Sequence, residues 1–199
     1  MTDEHVTAVQ YGVGPIGARI VETAADRDVE FVGAIDVDPE KVGRPLAEVA
    51  GVDAAVGVEI TDDAEEAFAE EPDLIFHSTR SSLEAVAPQL TEALEAGVDV
   101  VSTTEELSYP WRDNADVAEE IDRVAERKGR TVLGTGINPG FAMDFFPSVL
   151  SVSCRQVERV SVHRVQDAAQ RRRPLQKKIG AGTSVDTFER EVAAEAGHV

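Results

Sequence analysis

The chain has 199 residues, of which 19 are basic and 38 acidic, giving a formal net charge of −19. Such a field argues against nonspecific binding to nucleic acid or an anionic membrane, and with the low lysine content it fits a halophilic surface solvated at high salt. One cysteine, Cys154, excludes an intramolecular disulfide and allows a reducing compartment, and no apolar stretch reaches membrane-spanning length, so a cytoplasmic protein is expected.

In chain order, the apolar run Val6 to Gln10 feeds Gly12-Val13-Gly14-Pro15-Ile16-Gly17 and then a helical pattern carrying Ile20 and Val21. A strand that reaches a glycine cluster and opens a helix is how a βαβ nucleotide-binding unit begins. Gly12 suits the tight turn, Gly14 the close approach of backbone to a pyrophosphate, and Gly17 the packing of helix on sheet. Pro15 and Ile16, at the helix start, complete the expected contact set, because phosphates meet free N–H groups there. A second strand, Val29 to Ile35, ends at Asp36, nineteen residues beyond Gly17, where a ribose-reading carboxylate should stand. That carboxylate would repel a 2′-phosphate, so NAD is favoured over NADP. Lys41 and Arg44 are near enough in sequence to leave dual use open.

After a loop over 38–45, Leu46 to Ala50 reads as a short helix and Val56 to Ile60 as a short strand. Thr61 or Asp62 is placed as the cap of a helix from Asp63 to Glu70, which Pro72 stops. Leu74 to His77 is a buried-type strand leading into the polar loop Ser78-Thr79-Arg80-Ser81-Ser82. Ser78 and Thr79 approach the cofactor from there or serve as loop caps, and His77 reads as a structural histidine. Leu83, Val86, Leu90 and Leu94 fall at helical spacing closed by Gly97, with Pro88 marking a kink or an extra first turn.

Val98 to Val101 is the next strand, followed by the loop that carries Glu105 and Glu106. A helix from about Asp113 to Lys128 has Ala118, Ile121, Val124 and Ala125 on its apolar side. Thr131 to Leu133 is a further strand, entering Gly134-Thr135-Gly136-Ile137-Asn138-Pro139-Gly140-Phe141. Strands and helices alternating in this way predict an α/β fold, a Rossmann-type doubly wound, mostly parallel sheet over residues 1–138. Ligands in such sheets sit beyond the carboxyl ends of the strands, where these loops converge. Asn138 either bonds the nicotinamide amide or acts in a hinge.

Beyond Phe141 the texture changes. Ala142 to Ser151 reads as a helix, Val157 to Val165 as a strand, and Val185 to Ala194 as a last helix. The charge changes too: residues 1–150 hold 10 basic and 32 acidic groups, whereas 151–199 hold 9 basic and 6 acidic. Residues 139–199 are expected to be the start of a partial α+β substrate and oligomerisation domain. His5, His77, His163 and His198 show no ligand spacing, so no metal is expected.

The glycine motif, His77-Ser78-Thr79, the segment from Glu105 to Pro110, the segment from Gly134 to Asp144 and the segment from Arg172 to Gly182 together resemble the 2,4-diaminopentanoate dehydrogenase and amine dehydrogenase family. That family lies within the dihydrodipicolinate-reductase-like NAD(P)-binding proteins. The resemblance implies a two-domain homo-dimer or homo-tetramer longer than this chain, so these residues are the front of a longer polypeptide or an unusually short member. It implies NAD(P)-dependent oxidative deamination of a small amine or diamino acid, with Glu105 favoured over Glu106 as the catalytic carboxylate. It also implies that the basic stretch holds a substrate carboxylate through Arg173, Lys177 or Lys178, with His163 and Asp167 on that side. A solvated or ion-paired face is the other reading of that stretch. A dihydrodipicolinate-type imine reductase and a non-catalytic dinucleotide-binding regulatory or scaffold protein are the competing functions.

Overall fold

The computed structural model describes residues 6–52, 57–171 and 173–192. Its sheet contains strands β1 (Val6–Tyr11), β2 (Val29–Ile35), β3 (Ile60–Thr61), β4 (Leu74–His77), β5 (Asp99–Ser102) and β6 (Val132–Gly134), in the order β3-β2-β1-β4-β5-β6. Every pairing is parallel. Parallel neighbours need crossovers, and the intervening helices supply them. The result is the doubly wound order of a dinucleotide-binding sheet.

Successive side chains on a strand face opposite ways, so both faces must be covered. Val9, Tyr11, Ile35, Ile75 and Val100 pack with α3 (Ala64–Phe68), α4 (Leu83–Glu95) and α5 (Ala115–Lys128). Their neighbours Ala8, Phe31, Ala34 and Ile60 pack with α1 (Pro15–Ala25) and α2 (Leu46–Ala50). The helical spacing in the sequence is realised in this packing: Leu83, Val86, Leu90 and Leu94 of α4 are all fully buried, as are Ala118, Ile121, Val124 and Ala125 of α5 to within a few per cent. Each of the leucines, isoleucines and valines among them contributes roughly 1.5–3 kcal/mol from area removed from water. Pro88 sits inside α4 without interrupting it. Gly129 closes α5 at φ +64°.

Several boundaries differ from the sequence expectation. The cap of α3 is Asp63, whose carboxylate accepts from the N–H groups of Glu65 and Glu66. Thr61 instead accepts from Asp63 N–H and donates to Glu66. The strand expected from Val56 shrinks to Ile60–Thr61, and Val56 itself lies outside the described residues. The helix expected over 142–151 follows a turn at Asn138, cis Pro139 and Gly140 and continues into α6 (Phe146–Ser151).

The chain forms two compact units, Met1–Gln156 and Val157–Val199. In the second unit Val157–Val165 is not a strand. Only Val160 and Val162 keep a strand's alternation, and a strand exists only where a partner completes its hydrogen bonds, which the described residues do not offer there. The second unit's helices are α7 (Arg173–Lys178) and α8 (Val185–Thr187), the latter continuing in a wider turn over Phe188–Val192. Residues 193 and 194 of the expected last helix lie outside the described set. Among the described residues no helix is long and apolar enough to cross a membrane.

Candidate functional site

One row of the sheet fixes where the loops emerge. Tyr11 is level with Ile35 and His77, His77 with Ser102, and Ser102 with Gly134. One residue further on, the N–H groups of Gly12, Asp36, Ser78, Thr103 and Thr135 each extend the ladder onto a neighbouring strand's carbonyl. The glycine loop, Asp36, the Ser78 loop and the residues leading to Glu105 and Asn138 therefore leave a single edge at one height.

At that edge the glycines have separable reasons. Gly12 has φ +90°, and a Cβ there would lie 2.8 Å from the Ser78 carbonyl oxygen. Its own carbonyl accepts from Gln10 Nε2 at 3.0 Å and from Ser78 Oγ at 2.9 Å, which pins the loop from below. A Cβ on Gly17 would stand 2.0 Å from the same Gly12 carbonyl, so α1 can sit down on the loop only with glycine there. Gly14 differs. Its φ of −82° suits any residue, and a Cβ would meet nothing within 4 Å.

Gly14 is also the N-cap of α1, which has no side-chain cap and no acid in its first turn. Its start therefore keeps unsatisfied N–H groups and the positive end of the helix dipole. Helix α3, by contrast, fills its N-terminus with Asp63, Glu65 and Glu66. Pro15 takes the first position of α1, where no N–H is needed, and Ile16 is half-exposed beside it.

Asp36 closes the site on the β2 side. Its carboxylate accepts from Val13 N–H and Asp38 N–H at 2.9 Å each, and from Lys41 Nζ at 2.9 Å. Partial burial works to raise its pKa, but the hydrogen bonds from Lys41, Asp38 and Val13 outweigh it and hold the carboxyl below its usual range. Arg44 faces elsewhere: it pairs with Glu48 at 2.5 Å and reaches the Glu40 carbonyl.

Behind the Ser78 loop lies a buried polar network. His77 is 1 % exposed, and its ring nitrogens meet Ser102 Oγ and Gln89 Oε1 at 2.9 Å each. Burial pushes its pKa down, only partly offset by Gln89. Thr79 Oγ1 bonds both His77 and Gln89, while Ser102 and Thr104 continue the chain of hydrogen bonds to the Arg80 carbonyl. Gln10, Gln89, Ser102 and Thr104 did not stand out in the sequence. The available signal was a polar residue at a position that strand or helix periodicity marks as buried.

The two glutamates share a short 3₁₀ turn, Glu105–Ser108, held between the Ser78 loop and the end of β6. Glu106 N–H donates to the Ser81 carbonyl, and a Cβ on Gly134 would collide with Leu107 backbone at 2.7 Å. The Glu106 carboxylate accepts from Leu83 N–H at 2.7 Å, capping the start of α4. Glu105 is exposed on the same turn.

Beyond them, Ser108, Tyr109, Thr135, Phe141, Asp144 and Phe145 line an open cleft of about 680 Å³. Asn138 is exposed in the turn that borders it in sequence. Asp144 is committed to Gly140 N–H at 2.7 Å.

His163, Arg173 and Lys177 belong to the second unit and are exposed there. His163 lies outside any helix or strand, whereas Arg173 and Lys177 stand one turn apart on α7. Asp167 accepts from Ala169 N–H and caps a short turn. No group of three or more histidine, cysteine or acidic side chains among the described residues is arranged to hold a metal ion.

The family described as dihydrodipicolinate reductase, N-terminus, matches residues 8–135. The 2,4-diaminopentanoate dehydrogenase of Acetoanaerobium sticklandii is 32% identical over 129 residues, which is 64% of this chain and 36% of that protein. The amine dehydrogenase of Streptomyces virginiae is 25% identical over 191 residues, 91% of this chain and 52% of that one. Among solved structures, an amine dehydrogenase from Mycobacterium smegmatis is 32% identical with a TM-score of 0.70, covering 77% of this chain and 46% of the other. The chain thus spans about half or less of the length of these relatives.

Proposed function

The chain belongs to the dihydrodipicolinate reductase N-terminus family, and from that premise we propose that it binds a nicotinamide dinucleotide and serves an NAD(P)-dependent oxidoreductase of amine-dehydrogenase type. The carrying observation is Gly14: neither its backbone angles nor its neighbours require glycine, yet the space above it at the start of α1 is open. A glycine that the fold does not need is accounted for by a ligand that approaches the backbone. The uncapped N–H groups of α1 would take the pyrophosphate, and Asp36 the adenosine ribose. Ser78, Thr79 and Asn138 are assigned to the nicotinamide side, Ser78 and Thr79 acting through the position of their loop.

When bound, the nicotinamide supplies the hydride acceptor. The substrate in this reading is a small amine or diamino acid of the 2,4-diaminopentanoate type. Its C–H gives hydride, its nitrogen gives up a proton, water adds at the carbon, and ketone and ammonium leave. The chain's part is to hold the ammonium and move that proton. Glu106 caps α4, and Glu105, on the same turn, is the carboxylate this reading assigns to accept the proton, as the family resemblance implies. His163, Arg173 and Lys177 stay assigned to a substrate carboxylate on residue chemistry alone. The chain 139–199 is read as part of a substrate and oligomerisation domain of a homo-oligomer.

Titration with NADH and then NADPH, followed by quenching of Trp111 and by calorimetry, tests the first step. Saturable binding is expected, weakened at least ~10-fold in Gly14→Ala with the unfolding midpoint unchanged. A well-folded sample that binds neither dinucleotide would sink the reading. Amine-dependent NADH formation tests the second step: Glu105→Gln should lower kcat by ~100-fold or more, and Glu106→Gln by far less. Equal losses from both would remove Glu105 from its role.

A further inference from the structure

We propose that Gln10 is a positioning residue for the dinucleotide's pyrophosphate, binding the glycine loop to the Ser78 loop beneath the start of α1. This rests on the dinucleotide reading above and names the side chain that holds the phosphate-binding turn in place. Gln10 lies inside β1 and is 0 % exposed. Its register partners on β2 and β4 are Ala34 and Phe76, so the position belongs to the apolar face that packs with α1 and α2. That face calls for an aliphatic side chain, because a buried amide must find partners for both its nitrogen and its oxygen.

The nitrogen finds its partners in the two loops. Nε2 donates to the Gly12 carbonyl and to Ser78 Oγ, at 3.0 Å each, and Ser78 Oγ donates to the same carbonyl at 2.9 Å. A carbonyl can only accept, so the nitrogen end of the amide must face it. Oε1 is then left buried, with no hydrogen-bond partner among the described residues. An orphaned buried oxygen destabilises a fold, so stability does not account for glutamine here, whereas the two bonds to the loops do. Their place gives them consequence: a Cβ on Gly17 would stand 2.9 Å from Gln10 Nε2 and 3.0 Å from Ser78 Oγ, as well as against the Gly12 carbonyl. The first turn of α1 rests on this triangle. Gln10 thereby fixes the direction of the glycine loop and of the uncapped N–H groups at the helix start, which would receive the phosphates.

Calorimetric titration of the folded chain with NADH and ADP-ribose, which carry the pyrophosphate, tests this, with displacement of NADH by adenosine, which carries none. Gln10→Met keeps the length of the side chain and removes its donors. It should weaken NADH and ADP-ribose by ~10-fold and adenosine by less than ~2-fold. The unfolding midpoint should stay unchanged or rise, because the orphaned oxygen goes with the amide. Ser78→Ala leaves Gln10 on the Gly12 carbonyl, and the double variant leaves that carbonyl with neither donor. The double variant should therefore lose more NADH affinity than the product of the two single losses. Unchanged NADH affinity in folded Gln10→Met overturns the proposal while leaving dinucleotide binding intact. A loss that adenosine shares equally overturns it too, as does a midpoint lowered by more than ~5 °C, since a purely structural glutamine would give either. Circular dichroism checks each fold, and if Gln10→Met does not fold, Gln10→Leu carries the same comparison. If neither folds, the residue serves the fold and the proposal falls. Wild-type protein that binds neither NADH nor ADP-ribose defeats the underlying reading instead.

Discussion

The two ends of the first unit are written in similarly apolar residues and meet opposite surroundings. At the front, Ala8, Val9, Ala34 and Ile35 are at most 1 % exposed, because β1 and β2 lie inside the sheet with helices on both faces. At the back, Phe145, Phe146, Val149 and Leu150 are 60 %, 49 %, 50 % and 58 % exposed, and Leu133 on the edge strand β6 is 53 % exposed. Phe141 stacks on Phe145 and Phe146 with ring centroids 6.1 Å apart, and the three rings remain about half exposed. Hydropathy alone does not bury a side chain. Burial needs a second element at the right distance, and the front half has one on each face.

That contrast can be broken by mutation. The largest losses should come from the front and centre. Gly17→Ala drives a methyl into the Gly12 carbonyl and Leu90→Ala opens a cavity in a fully buried site, so each should cost about 2–5 kcal/mol in urea unfolding. A loss below about 1 kcal/mol in Gly17→Ala would mean that α1 does not rest on the glycine loop as described.

The buried network should give a pH signature. Because the His77 pKa is lowered on folding, the unfolded chain takes up a proton that the buried ring refuses. Its contribution is therefore full above the unfolded value of about 6.5 and declines as pH falls below it, by no more than about 1.4 kcal/mol per pH unit. His77→Gln should flatten that part of the stability profile, and an unchanged slope would place its origin elsewhere.

Glu106→Ala removes the cap on α4 and should cost about 1 kcal/mol by the same urea measurement. The smallest effect belongs to the back: Phe145→Ser should change stability by no more than about 0.5 kcal/mol, since the ring is already mostly in water. A loss comparable to that of Leu90→Ala would show that this helix is covered in solution, and would erase the contrast.

Legibility followed the same division. The order of strands and helices, the buried faces of α4 and α5, and the alignment of Gly12, Gly14, Gly17 and Asp36 could be read directly, because each rests on spacing within one element or one βαβ unit. The cap of α3 is Asp63 and not the expected Thr61 or Asp62, since neighbouring polar residues compete for one position and backbone angles choose Asp63. Val157–Val165 failed as a strand for want of a ladder partner.

The amino-acid sequence by itself determined the α/β class, the glycine-bearing first turn and the acid at the end of β2, all set by local periodicity and turn chemistry. Only the tertiary structure decided that Asp63 caps α3, that Glu106 caps a helix beside Glu105, and that Lys41 rather than Arg44 stands on Asp36. These distinctions depend on which groups meet across strands and loops, and such meetings have no period in the chain.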